Sequence, residues 1–312
     1  MPALAECCER FLAYLENERR LSPRTVDTYR SGLKCFADFL KERHGIADAE
    51  SITNRHIRLF VAEQNTLGKK PSSIDTWLSS VKSLFRFLVI KKLVTDNPAL
   101  AVGGLKIPKR VPSFFREDQM NFLLDQPADE GTALTPEDDA FVSARDKAML
   151  ELLYSSGLRV SELTGLDLDR YYPDDLTVRV LGKGGKERIV PVGEAAACAI
   201  AEYLPLRSGY ASSGENALFV SRQGGRITRR NVAMRLKNSV STHSIGEKIH
   251  PHKLRHSFAT AMVSNSHDVR AVQEMLGHGK LSTTQHYTHM DMNTLVQVYR
   301  SAHPRDSMGV GS

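Results

Sequence analysis

The 312-residue sequence is poor in cysteine and has no long apolar run. Its four cysteines, Cys7, Cys8, Cys35 and Cys198, have the spacing of neither a disulfide framework nor a zinc site. They read as reduced core or surface residues of a cytoplasmic protein. The apolar runs are short, and even 85–90 is broken by Arg86, so no segment is expected to span or enter a membrane. Residues 1–10 carry two glutamates and no basic start before an apolar block, so no secretory signal is expected. Repeats of 20–50 residues and low-complexity tracts are also missing. Gly182-Lys183-Gly184 lacks the spacing and the Ser/Thr of a phosphate-cradling P-loop, which argues against nucleotide binding. His252 and His256 have the spacing of a zinc-hydrolase helix, but Lys253 stands where its glutamate belongs.

What is present is an average globular composition, 41% hydrophobic and 25% charged, which excludes global disorder. The length suggests about two domains. The net charge is +6, and it is unevenly placed. Residues 1–110 hold 19 Lys and Arg against 12 Asp and Glu, whereas residues 111–312 hold 23 against 24. A basic module in front of a neutral one fits a domain that grips DNA followed by one that works on it. It also fits a lysine-rich solvated helical surface.

Residues 1–100 read as a helical bundle. Leu4, Cys8, Phe11, Leu12 and Leu15 recur at helical spacing, as do Val26, Tyr29, Leu33, Phe36 and Leu40 behind a Ser22-Pro23 start signal. A shorter helix is expected over 53–64. Pro71 opens another, with Ile74, Leu78, Val81, Phe85 and Leu88 inward. Asn97-Pro98 stops the bundle, and 101–116, with two glycines, two prolines and four basic residues, reads as a linker. Residues 117–312 then mix elements. Helices are expected over 145–156, 228–239, 254–264, 269–276 and 292–299. Short strands are expected over 176–181 and 188–192, joined by a glycine hairpin that carries Lys183, with a third strand over 217–220.

Several side chains could carry chemistry. Arg159, in GLRVSEL, follows a glycine that ends a helix, so its guanidinium can enter a cleft and take a phosphate, or simply pair with Glu162. Lys183 on its hairpin could reach a leaving oxygen as a proton donor, or be an ordinary turn lysine. His252 and Arg255 are three apart on one helical face, a proton acceptor beside a fixed cation. His256 reads as a packing histidine. His278 follows a helix C-terminus in Leu276-Gly277-His278, and Tyr287 comes nine residues later. Taken singly, each has a structural explanation.

Their order is more specific. GLRVSEL, GKGGKER, HPHKLRHSFAT, LGHGKLSTTQHYTH and a closing SAHPR together resemble the tyrosine site-specific recombinase (lambda-integrase-like) family, over nearly the whole chain. Within it the chain is most similar to the Xer subfamily. HPHKLRHSFAT and AHPR are closer to the branch that pairs with XerD than to the XerD branch itself. The resemblance implies a mainly α chain: a SAM-like helical core-binding domain over 1–100, a linker over 101–116, and an α+β catalytic domain with a small antiparallel sheet over 117–312. It implies that Tyr287 is the nucleophile and forms a 3′-phosphotyrosyl intermediate. Arg159 and Arg255 would neutralise the non-bridging oxygens and His278 would donate to one. Lys183 would protonate the leaving 5′-oxygen, and His252 would accept the tyrosine proton or help hold the phosphate.

The same resemblance implies no metal and no cofactor. It adds Arg229, Arg230 and Arg235 as DNA contacts. It implies double-stranded DNA at a dif-type site as substrate, a XerD-like recombinase in a heterotetramer and an FtsK-like translocase as partners, and resolution of chromosome dimers at cell division. In such an assembly 292–299 is the candidate exchanged helix, with Leu295, Val296 and Tyr299 as its apolar face. Phage, integron and transposon integrases share the catalytic set and are the alternative. Two rival classes are a DNA-binding regulator without chemistry, which leaves the ordered set as coincidence, and a metal-dependent hydrolase, which would need carboxylates where Lys253 and Arg255 stand.

Overall fold

A computed structural model describes residues 3–105, 114–125, 135–182, 185–241, 249, 251–277 and 292–305. The chain divides into two compact units, Met1–Arg110 and Val111–Ser312. The first is all helix: α1 (Leu4–Asn17), α2 (Pro23–His44), α3 (Asn54–Thr66) and α4 (Pro71–Ile90). The local signals act as expected. Ser22 Oγ accepts from the Thr25 amide, Pro23 occupies the first turn, and α2 ends on Gly45 in the left-handed region at φ +63°. The apolar faces meet in one core that contains Phe11, Leu33, Phe36, Leu40, Phe60 and Phe85, all at most 2% exposed.

The expected linker is packed at both described ends. Val102 belongs to the core of the first unit and Phe115 to that of the second, each 3% exposed. Residues 106–113 lie outside the described part.

The second unit is built around α6 (Pro136–Ser156), flanked by α5 (Glu117–Asp125) and followed by the short α7 (Val160–Thr164). A three-stranded antiparallel sheet comes next, β1 (Tyr171–Tyr172), β2 (Thr177–Leu181) and β3 (Glu187–Pro191) in that order. Helices α8 (Glu194–Tyr210), α9 (Arg229–Ser241), α10 (Pro251–Ser266), α11 (Val269–Leu276) and α12 (Met292–Ala302) complete it. Val178, Val180 and Val190 point their side chains into the core. Val178 opposes Val190 and Leu181 opposes Glu187, so β2 and β3 pair as the antiparallel neighbours that the alternation predicted. Among the described residues no helix is long and apolar enough to cross a membrane.

Three sequence expectations change. Helix α6 starts nine residues before 145. Thr135 Oγ1 accepts from the Asp138 amide and Pro136 opens the helix, so the acidic residues Glu137 to Asp139 are a first turn facing the helix dipole. Helix α8, not anticipated, packs along α6 despite Pro205 inside it. The third strand is Tyr171–Tyr172, not 217–220. The latter run is fully buried, and much of its hydrogen bonding goes to side chains instead of a strand. Arg207 Nε donates to Ala217 O at 2.9 Å, Tyr203 Oη accepts from the Val220 amide at 3.1 Å, and Ala217 N donates to Glu215 Oε1.

Helix α12 lays Leu295 and Tyr299 into the core of its own chain, 5% and 2% exposed, and packs on α10. The segment after it is pinned. Arg305 pairs with Glu151 at 2.9 Å, and His303 stacks on Tyr299 with ring centroids 4.9 Å apart. Burial, aided by the Arg305 charge against a backbone hydrogen bond at Tyr154, pushes the His303 imidazole down to about 3. A histidine depressed in the folded state contributes stability that is present above its unfolded value, near 6.5, and lost as pH falls towards 3. From pH 7 to pH 5 the wild type is expected to lose about 2 kcal/mol that His303→Phe does not. Denaturant unfolding of both proteins at the two pH values tests this; parallel losses would refute it.

Candidate active site

The site grows from the end of α6. Gly157 stops that helix at φ +57°, and a Cβ there would lie 2.4 Å from the Phe258 ring. The turn therefore needs glycine both for its conformation and for the approach of α10. Gly157→Ala is expected to cost about 2–4 kcal/mol, from left-handed strain and overpacking together. An unchanged unfolding midpoint would refute that.

Two residues on, Arg159 is the N-cap of α7. Glu162, one turn along, reaches back to it. Its Oε2 accepts from the Arg159 amide at 2.8 Å and its Oε1 from Arg159 Nη1 at 2.8 Å. Arg188, on β3, grips the same carboxylate with both ends of its fork, Nη1 to Oε1 at 2.8 Å and Nη2 to Oε2 at 2.9 Å. Burial alone would raise the Glu162 carboxyl. The hydrogen bonds from Arg188 and Arg159 outweigh it and hold the group below its ordinary value.

Arg255 comes to the same place from α10. It is 8% exposed and donates through Nη1 to Gly157 O at 2.7 Å and through Nη2 to Leu276 O. Both partners are carbonyls that close a helix, and neither carries a full charge. Burial, with the Arg159 and Arg188 cations added to it and Glu162 opposing, lowers the Arg255 guanidinium to about 10. Three guanidiniums thus surround one carboxylate. Such a cluster lacks an anion, and a phosphodiester supplies one.

The rest of the HPHKLRH motif diverges. His252 is exposed, one helical turn before Arg255. Lys253 is buried with Nζ 3.7 Å from the Phe115 ring centroid, and Ser257 Oγ accepts from the Phe115 amide at 2.8 Å. His256 meets the ring of Phe114 edge-on, which is the packing role expected for it. Lys183, His278 and Tyr287 lie outside the described residues, but their approaches are visible. Gly182 N donates to Lys186 O at 2.7 Å at the base of the hairpin, and Gly277 ends α11 at φ +64°.

Of the arginines expected to touch DNA, Arg229 and Arg230 are exposed at the start of α9. Arg235 is not free to do so. Its side chain is 13% exposed and bonds Asp146, which also pairs with Arg145 at 2.7 Å. It ties α9 to α6, and the expectation for it gives way to a packing role.

Sequence reasoning missed Arg188, whose partners lie 26 and 87 residues away, and the Lys253–Phe115 contact. The available signal was the position of Arg188 in GKGGKER, on a strand leaving the hairpin of a candidate catalytic lysine. Among the described residues no group of three His, Cys, Asp or Glu side chains is placed to hold a metal ion.

Residues 113–294 match the model of the phage integrase family, and residues 8–92 that of the phage integrase N-terminal SAM-like domain. Tyrosine recombinase XerC of Pseudomonas putida (strain F1) is 41% identical over 304 residues, covering 97% of this chain and 98% of that protein. Tyrosine recombinase XerC of Actinobacillus succinogenes is 42% identical over 302 residues, covering 95% and 97%. In three dimensions the chain is similar to a lambda integrase dimer bound to a COC′ core site, with a TM-score of 0.69 at 18% identity over 93% of this chain and 100% of that one.

Proposed function

The chain belongs to the phage integrase family, and from that premise we propose that its second unit cuts and rejoins duplex DNA through Tyr287. It is a XerC-like tyrosine recombinase. In the proposed step the Tyr287 phenolic oxygen attacks the scissile phosphorus while the bond to the 5′-oxygen breaks. His252 takes the phenol proton, and Lys183 delivers one to the departing 5′-oxygen, which leaves as a hydroxyl. Arg159 and Arg255, with His278, hold the non-bridging oxygens as their charge grows. The DNA 3′-phosphate is then esterified to the enzyme. Attack by a 5′-hydroxyl reverses every transfer, so joining needs no nucleotide cofactor.

The observation that carries this reading is the Arg255 guanidinium, which is buried and hydrogen-bonded to carbonyls beside two further guanidiniums and one carboxylate. It is a site with cations left over at the point where a phosphate must gain charge. Arg229 and Arg230 and the basic first unit supply phosphate contacts along the duplex. The degree of likeness to the XerC relatives supports a dif-type site as target. It likewise supports a XerD-like recombinase and an FtsK-like translocase as partners and chromosome-dimer resolution in the cytoplasm as the task. The two compact units and the separate matches over 8–92 and 113–294 support domains divided at 101–116.

The test is covalent capture. The protein and a XerD-like recombinase from the same cell are mixed with a nicked dif-type duplex in EDTA and run on a denaturing gel. A protein–DNA band carrying this chain is expected. Specific binding with an active partner but no such band would overturn the reading.

A further inference from the structure

The machinery above leaves Arg188 unused, although it is the most fully engaged guanidinium of the site. Both Nη atoms bond the Glu162 carboxylate, and Nε donates to Met275 O at 3.0 Å. Met275 is in the last turn of α11, two residues before Gly277. Gly277 lies flat against Arg188, since a Cβ added there would be 3.2 Å from its Cδ, Cζ and Nε. The Arg188 side chain is 14% exposed and that of Glu162 3%. One planar group therefore joins three elements, β3, α7 and the end of α11.

We infer that Arg188 is a positioning residue for strand cleavage, setting Arg159 through Glu162 and, through Met275, the Gly277 end of α11 that leads to His278. The inference rests on the proposed role of Arg159. Two physical effects carry it. The first is geometric. A fork with donors in fixed directions can hold a carboxylate and a carbonyl at once, and a lysine, with one ammonium on a flexible stem, cannot. The second is electrostatic. Glu162 Oε1 accepts from both Arg159 and Arg188. With Arg188 present the carboxylate is shared, and Arg159 keeps most of its charge for a phosphate. Without it, Glu162 and Arg159 collapse into a private ion pair that competes with the substrate.

The test uses the full-length protein with its XerD-like partner and single-turnover cleavage of a nicked duplex. The variants are Arg188→Gln, Arg188→Lys and Arg159→Ala. On ordinary DNA both Arg188 variants are expected to cleave about 10–100-fold more slowly, the loss that groups orienting metal ligands show, taken here by analogy, with duplex affinity within a few-fold of wild type. The discriminating substrate carries a methyl group in place of one non-bridging oxygen of the scissile phosphate. That phosphate is neutral, so it does not need the second guanidinium. Arg159→Ala is expected to regain most of its lost rate there, and both Arg188 variants with it.

Equal impairment of the Arg188 variants on both substrates would make the residue merely structural and overturn the inference. So would a fully active Arg188→Lys, because the fork would then be dispensable. Failure of Arg159→Ala itself to recover on the neutral substrate would instead strike the proposed role of Arg159, and the inference with it. If Arg188→Gln does not fold, Arg188→Lys, which retains the charge, decides the matter alone.

Discussion

Tyr287→Phe is expected to abolish covalent capture of DNA while leaving DNA affinity unchanged. The substitution removes one oxygen, which in the proposed mechanism is the only protein atom that bonds to phosphorus. In that mechanism the arginines are charged at neutral pH and not nucleophilic, and His252 and His278 would serve the proton and the phosphate. Loss of a nucleophile in an otherwise intact site lowers turnover by about 10⁴-fold or more, which on a denaturing gel is no band. The grip on DNA comes from phosphate contacts elsewhere and should survive, with the same steep salt dependence. A residual covalent band in the phenylalanine variant would show that a different residue makes the bond. Equal loss of binding and of capture would show that the tyrosine supports the fold instead.

Arg255→Lys is expected to slow single-turnover cleavage by about 10²–10³-fold, the cost of removing one donor to a developing oxyanion. The charge is conserved, so the argument concerns shape. Arg255 spends one N–H on Gly157 O and one on Leu276 O. Its other three bond to none of the described residues. A lysine ammonium cannot satisfy two carbonyls on different helices and a phosphate oxygen together. It would strand one buried carbonyl, adding about 1–3 kcal/mol of lost stability, or leave the phosphate. Measured against duplex affinity, the defect should fall on the chemical step. Wild-type cleavage by the lysine variant would refute this account of the site.

Legibility in the sequence followed the range of the interactions. The first unit could be read helix by helix because its signals are local: a cap at Ser22, a proline at Pro23, and apolar residues every three or four positions. Arg159 could be found from the glycine turn before it, and the pairing with Glu162 that the sequence allows is present. Helix α6 was legible only in its second half. Its first turns, from Pro136 to Ala140, are acidic and largely exposed, so the apolar residues that mark a buried helix start only at Phe141. Helix α8 was hidden by its run of alanines and by Pro205. Residues 217–220 were read as a strand because burial on all sides gives the same apolar run as a central strand. Arg235 looked like its exposed neighbours Arg229 and Arg230, and only the position of Asp146, 89 residues upstream, turns it inward. Nothing near Arg188 in the chain announces a partner 87 residues later.

These distances also set a time order. Arg255 is joined to Gly157, 98 residues before it, and Arg188 to Met275, far along the chain. On a ribosome the helical first unit emerges whole well before either pair can close. The nascent chain thus completes its basic helical module early and, on the function proposed above, its cutting centre among the last parts to be made. A chain interrupted before α11 would keep the basic module but have neither carbonyl at Met275 and Leu276 on which the arginine cluster is built. If the basic module holds DNA as proposed, products truncated before α11 should occupy DNA without breaking it.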